Sequence, residues 1–155
     1  RLTASGMAYQ GGAEWQIPDK AASVWLQYDS TSGDDAGTTD KYEGFLAPAE
    51  SIDLLLIVEG RNMYDRSHNL TAARIGGNYN INDQLVVALA WGMFSETEDG
   101  EAADGLGTEI DARVEWSYAS NARFMGMVAM YTPSDNDYTD EDAAMAVTGK
   151  ITVEF

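Results

Sequence analysis

The chain has 155 residues, 26 acidic against nine basic side chains, a formal net charge of −17 and a pI near 4.1. That balance excludes nucleic acid as a partner, since phosphate binding needs clustered Lys and Arg. A 45% hydrophobic and 10% aromatic content argues against an acidic disordered chain. Cysteine is absent, which removes disulfides, thiolate metal sites and thiol nucleophiles; no apolar run approaches the roughly 18 residues of a transmembrane helix, whereas barrel strands need only about 9–11 residues with alternate positions apolar.

In chain order, residues 2–10 alternate loosely and read as a strand, and 11–20, with Gly11-Gly12 and Pro18, read as a connection. Residues 22–30 form a better strand, with Val24, Leu26 and Tyr28 opposite Ser23, Trp25, Gln27 and Asp29. Residues 32–69 are long, irregular and acidic, with an apolar run at 52–58 that suits a short strand, a helical turn or a loop segment folded into a cavity. Alternation returns at 70–80, where Ala73, Ile75, Gly77 and Tyr79 share a face. A tight turn at Asn82-Asp83 leads into 85–94, with Leu85, Val87, Leu89, Trp91 and Met93 on one side. After the acidic loop 95–106, residues 107–119 carry the clearest pattern: Ile110, Ala112, Val114, Trp116 and Tyr118 against Glu109, Asp111, Arg113, Glu115 and Ser117. A turn at Ser120-Asn121 precedes a strand at 124–131 whose two faces compete, Phe124/Val128/Met130 against Met125/Met127/Tyr131. A third acidic loop, 132–143, precedes a final strand, 145–155, that alternates and ends on Phe155.

Seven strands joined alternately by tight turns and long acidic loops predict an all-β fold, an antiparallel transmembrane β-barrel with its long loops at one end. A strand ending in Phe is also how outer-membrane barrels end. With Phe155 at the periplasmic end, every long loop falls outside, provided 52–58 does not span. Single-chain bacterial barrels have even strand numbers, so seven strands imply that residues 1–155 are the C-terminal part of one larger barrel domain, with 32–69 an extracellular or inward-folded loop. Tyr79, Tyr118 and Phe155 fall at one set of strand ends and Tyr28 and Trp91 toward the other, as interfacial aromatic girdles would.

An order of features then resembles the C-terminal portion of the alginate-export-type outer-membrane porins. A strand ends in Tyr28-Asp29-Ser30-Thr31-Ser32-Gly33-Asp34, and a loop with Phe45 and Pro48 follows. Asn69-Leu70 re-enters a strand, Gly107-Thr108-Glu109-Ile110-Asp111 opens another, Tyr131-Thr132-Pro133-Ser134-Asp135 ends the next, and the last closes on Phe155. The resemblance, over about residues 20–155, implies a large monomeric barrel with a central pore and a long loop able to fold inward.

The polar strand faces would line the lumen: Arg74, Arg113 and Lys150 against Glu109, Asp111, Glu115 and Glu154. This mixture is not the basic lining that a polyanion such as alginate calls for. It predicts passive diffusion of ions or small hydrophilic solutes with mild cation preference, in a bacterial outer membrane, against lipid and lipopolysaccharide. Ile52, Leu54, Leu56 and Val58 are the residues expected to constrict the pore. The loop acids Asp34, Asp35, Asp40, Glu43, Glu96, Glu98, Asp99, Glu101, Asp104, Asp135, Asp137, Asp140, Glu141 and Asp142 suit Ca²⁺ or Mg²⁺ bridging to lipopolysaccharide, or simply form solvated, repulsive loops. Catalysis finds no motif: His68 is the single histidine, and no G-x-S-x-G is present. The rivals are a structural or surface-binding barrel without an open pore and a soluble all-β binding module.

Overall fold

The structure is a computed structural model and describes residues 3–33, 41–44, 55, 57, 69–97, 105–134 and 142–155. The strands are β1 (Thr3–Ala4), β2 (Ala8–Gln16), β3 (Ala22–Thr31), β4 (Lys41–Tyr42), β5 (Leu70–Asn82), β6 (Leu85–Ser95), β7 (Gly107–Ala119), β8 (Ala122–Pro133) and β9 (Ala144–Val153). Seven of them form one antiparallel sheet in the order β2-β3-β5-β6-β7-β8-β9, which is not closed; β1 and β4 pair separately as a two-residue parallel ribbon. The fold is thus all-β and barrel-like, each strand pairing with its sequence neighbours in the sheet.

Two expected boundaries shift. The segment from Gly11 to Gln16 is strand, not connection: it pairs residue by residue with β3, from Ala8↔Thr31 to Gln16↔Ser23. The ladder's hydrogen bonds outweigh the local weakness of the glycine pair. What remains between β2 and β3 is a short turn around Pro18, held by Ile17 N donating to Ala22 O (2.9 Å) and Lys20 N to Ile17 O (3.1 Å). In the next hairpin β5 extends to Asn82 with a register shift after Asn80, so the turn sits at Asp83-Gln84. Asn82 Oδ1 accepts from the backbone N of Gln84 (2.8 Å) and of Leu85 (2.9 Å), which closes that turn.

The three tight connections lie at one end of the sheet and the longer ones at the other. Neighbouring hairpins are tied at the tight end: Asn80 N donates to Ala21 O (2.7 Å), Ser117 N to Gln84 O (2.8 Å) and Glu154 N to Asn121 O (2.9 Å). At the opposite end Leu106 N donates to Phe94 O (3.0 Å), and the Tyr131 hydroxyl donates to Leu106 O.

Burial runs opposite to the usual order. One row of aligned residues, Ala13–Leu26–Ile75–Trp91–Ile110–Met130–Met145, crosses all seven strands. Its large side chains are bare: Leu26 is 56% exposed and Met145 71%. The neighbouring row, Gln27–Arg74–Gly92–Glu109–Tyr131–Ala144 from β3 to β9, lies on the other face and is the covered one, with Glu109 only 1% exposed. The ambiguous strand β8 is resolved the same way: Phe124, Val128 and Met130 share the bare face, while Ala129 and Tyr131 are buried on the other.

Removing the acceptor that closes the β5–β6 turn tests whether that turn sets the hairpin. We expect Asn82→Ala to cost about 1 kcal/mol in a urea unfolding titration, and Asn82→Asp, which keeps the acceptor, to stay near the parent.

Candidate functional site

The covered face is built around small residues. Ala72, Ala90, Gly92, Ala129, Ala144 and Ala146 come from β5, β6, β8 and β9 and leave room above the sheet. Leu55 and Ile57, from the long segment between β4 and β5, fill that room and join Phe94, Leu70 and Tyr131 in the buried cluster. Gly92 is required for this seat: a Cβ there would lie 2.9 Å from Leu55 Cδ1 and 3.0 Å from Phe94 Cζ. The segment 52–58 therefore reaches the sheet's polar face at least through these two residues. Ile52, Leu54, Leu56 and Val58, named above as constricting residues, lie outside the described residues.

Polar contacts anchor the same region. Ile57 N donates to Glu109 Oε1 (2.5 Å), so a carboxylate of the sheet holds the backbone of the inserted segment. Arg74 on β5 forms an ion pair with Asp29 on β3, both side chains being 4% exposed. Gln27 Nε2 donates to the other oxygen of Asp29 (3.2 Å), which helps satisfy the buried charge. Asp111 is also buried.

Six of the seven residues expected on the wall share this face by strand register: Arg74, Glu109, Asp111, Arg113, Glu115 and Lys150. They divide into two zones. Arg74, Glu109 and Asp111 are buried, Glu109 in contact with Ile57. Arg113, Glu115 and Lys150, nearer the tight turns, are half-buried or exposed, with Arg113 Nε 3.3 Å from Glu115 Oε1. Glu154 lies beyond the end of β9, where its backbone bonds Asn121, and among the described residues it forms no ion pair with Lys150.

Sequence reading placed Asp29 on this face of β3 but named neither Asp29 nor Arg123 among the wall charges. Asp29 has the parity of Ser23, Trp25 and Gln27, which was the available signal; its pairing with Arg74 needed the β3–β5 register. Arg123 aligns with Ser117 and Thr152 on the same side.

Of the acidic loop residues, Glu43, Glu96 and Asp142 are described, and among the described residues no group of three or more acidic or histidine side chains converges to hold a metal ion. Burial at the end of β6 raises the Glu96 carboxyl above the usual carboxylate range. His68 lies outside the described residues. The chain matches no protein-family model, and a search of curated proteins finds no match to it.

A buried ion pair is costly to break from one side, because the remaining charge keeps its desolvation penalty. We expect Asp29→Ala or Arg74→Met alone to lose about 3–5 kcal/mol in chemical unfolding, and the double variant Asp29→Leu/Arg74→Met to lie closer to the parent than either single change.

Proposed function

We propose that this chain is part of a transmembrane β-barrel of a bacterial outer membrane, akin to the alginate-export-type porins, and acts as a channel for passive diffusion of ions or small hydrophilic solutes. The inverted burial carries the reading. In water, a continuous bare apolar face across seven strands would far exceed the few hundred Å² that soluble monomers expose. Against lipid the same face is the favourable one, and the polar residues belong on the inside.

Three further features support it. The large sheet strands of 9 to 13 residues have the length a tilted membrane strand needs. Exposed aromatics gather at the turn end (Trp15, Tyr79, Trp116, Tyr118, Phe124 and Phe155), with Tyr9 and Tyr28 toward the loop end, as two interfacial belts would. Between them lie aliphatic side chains such as Leu26, Ile75, Leu89, Val128 and Val147, together with Trp91, which aligns with Ile75 rather than at the loop-end belt where the sequence pattern put it. The edge strands β2 and β9 run in the same direction in an alternating antiparallel sheet, so antiparallel closure takes an odd number of further strands.

In this reading solutes diffuse through a water-filled lumen past Arg113, Glu115 and Lys150. The acid excess of the chain, −17 overall, raises the local cation concentration and gives mild cation preference. No step involves catalysis. A second reading, a barrel without an open pore, is favoured by one observation: the apolar side chains Leu55 and Ile57 sit on the face that would line the lumen.

Conductance separates the two. Full-length protein in planar bilayers under a salt gradient is expected to give discrete steps with a cation-side reversal potential, moved toward zero when Glu109→Gln, Asp111→Asn and Glu115→Gln are combined. Well-folded protein that gives no steps would establish the plugged alternative.

Sidedness has its own test. Trp15, Trp91 and Trp116 lie on the bare face and Trp25 on the covered one. In single-tryptophan variants reconstituted into vesicles, brominated lipid should quench the first three and acrylamide in the water should quench Trp25. Lipid-insensitive Trp91 would sink the membrane reading.

A further inference from the structure

The two ends of the bare face carry different side chains. At the turn end they are aromatic, among them Tyr79, Trp116, Tyr118 and Phe124. At the loop end they are hydroxyls. Ser30, Thr71, Ser95, Thr108 and Thr132 stand two residues beyond Tyr28, Ala73, Met93, Ile110 and Met130 on their strands, so all have the parity of the bare face. The strands that carry them are neighbours in the sheet, β3-β5-β6-β7-β8, and at the usual strand spacing the belt is about 19 Å wide. On β3 and β5 its members bond each other: Ser30 Oγ lies 3.3 Å from Thr71 Oγ1, which lies 2.9 Å from Thr97 Oγ1. Ser95, Thr108 and Thr132 form no side-chain hydrogen bond among the described residues.

Those three border a notch of about 340 Å³, together with Met93 and Pro133. The notch arises because the row Met93–Thr108–Thr132 carries two small side chains where the adjacent row carries Ile110 and Met130. Gly107 draws β7 and β8 together behind it. Its φ of 140° is one that a side chain rarely adopts, and a Cβ there would come within 2.4 Å of Thr132 O. Thr132 is exposed, and the half-buried hydroxyls of Ser95 and Thr108 are unbonded without being sealed from the surface. No charged side chain lines the notch among the described residues.

An occupant that suits this lining is uncharged where it touches the protein, offers acceptors to the hydroxyls and continues into an apolar chain. A carbonyl of an acyl chain meets all three demands, since it only accepts. Water satisfies the hydroxyls but gains nothing from Met93, Ile110 and Met130. We infer that the notch seats an ester-linked acyl chain of lipopolysaccharide. The ester carbonyl accepts from Thr108 or Thr132, and the chain runs down the bare face over Ile110 and Met130. Two observations select this lipid. The notch lies at the end of the long loops, which is the outer side in the channel reading, and the belt is wide enough to meet several acyl carbonyls hanging side by side. The inference rests on the membrane reading and names one lipid contact within it.

The test is titration of lipid A, the acylated anchor of lipopolysaccharide, into full-length protein folded in detergent. Mg²⁺ in the buffer screens the lipid phosphates from the loop acids, and bound lipid is counted by native mass spectrometry. Lipid A should bind saturably, with O-deacylated lipid A and phosphatidylethanolamine each at least about tenfold weaker. Combining Thr108→Val with Thr132→Val keeps the shape and removes two donors, and should weaken lipid A by about tenfold. Thr132→Phe fills the notch and should weaken it by a similar factor, whereas Val147→Phe, the same kind of change elsewhere on the bare face, should leave it as in the parent. Equal binding of phosphatidylethanolamine, O-deacylated lipid A that binds like the intact form, or a Thr132→Phe protein that binds like the parent each overturns the site. So does a parent dimer that Thr132→Phe dissolves, which would make the notch a contact between copies. Trp91 quenched by brominated lipid alongside any of these results removes the site and keeps the membrane reading; saturable lipid A binding with Trp91 insensitive to lipid does the reverse.

Discussion

In the ladder from β2 to β9, register fixes two faces at once. Each pairing that sets Leu26 beside Ile75 also sets Gln27 beside Arg74, so the apolar row and the polar row cannot be chosen separately. A slip of one residue in any strand would carry charges such as Glu109 and Asp111 to the bare face and Ile110 under the inserted segment. The tight turns guard against that slip. They fix strand offsets at one end, through the Asn82 carboxamide and the bonds that join Asn80, Ser117 and Glu154 to neighbouring turns. At the other end the longer connections are tied where they meet the strands, by Leu106 N to Phe94 O and Asn69 N to Ser32 O, and tolerance of length between such ties is what loop-closure entropy leads one to expect.

Strands whose two faces differ in polarity were legible residue by residue. β7 alternates Ile110, Ala112, Val114 and Trp116 with Glu109, Asp111, Arg113 and Glu115, and one bit of information per residue suffices. β8 was not, because methionine suits both sides: Met130 is bare, while Met127 aligns with Arg113 on the covered face. β2 was misread for another reason. Gly11-Gly12 is a break signal in isolation, and only an existing β3 edge makes it a strand. Partnerships between distant residues were beyond periodicity altogether. The Asp29–Arg74 pair spans 45 positions and the Ile57–Glu109 bond 52, and both depend on which strands are neighbours and in what offset.

The covered face mixes two kinds of packing that are usually kept apart. Small residues at Ala72, Ala90, Gly92 and Ala129 make an apolar floor on which Leu55 and Ile57 lie, while Asp29, Arg74 and Glu109 are buried in or beside the same layer. An ion pair in such a setting adds little net stability over an apolar replacement, but it is specific, since any arrangement that separates its members leaves a buried charge. Here it links β3 to β5 across the point where the chain makes its longest excursion, residues 32–69. The pair thereby fixes the offset of two strands that no tight turn joins.

The same geometry bears on whether the interior is open. Leu55 and Ile57 have no reason to leave water for the sheet's polar face unless a surface there accepts them, and Gly92 with its alanine neighbours supplies one. Glu109 supplies the acceptor that the Ile57 amide would otherwise find in solvent. The seat lies in the half of the face nearer the long connections, whereas Arg113, Glu115 and Lys150 on the turn side retain access to solvent. In the proposed channel, Leu55 and Ile57 seated at this level would narrow the passage from one side and leave the charged half of the wall in contact with water. Between the two zones the covered face leaves a recess bounded by Trp25, Asn78 and Arg113.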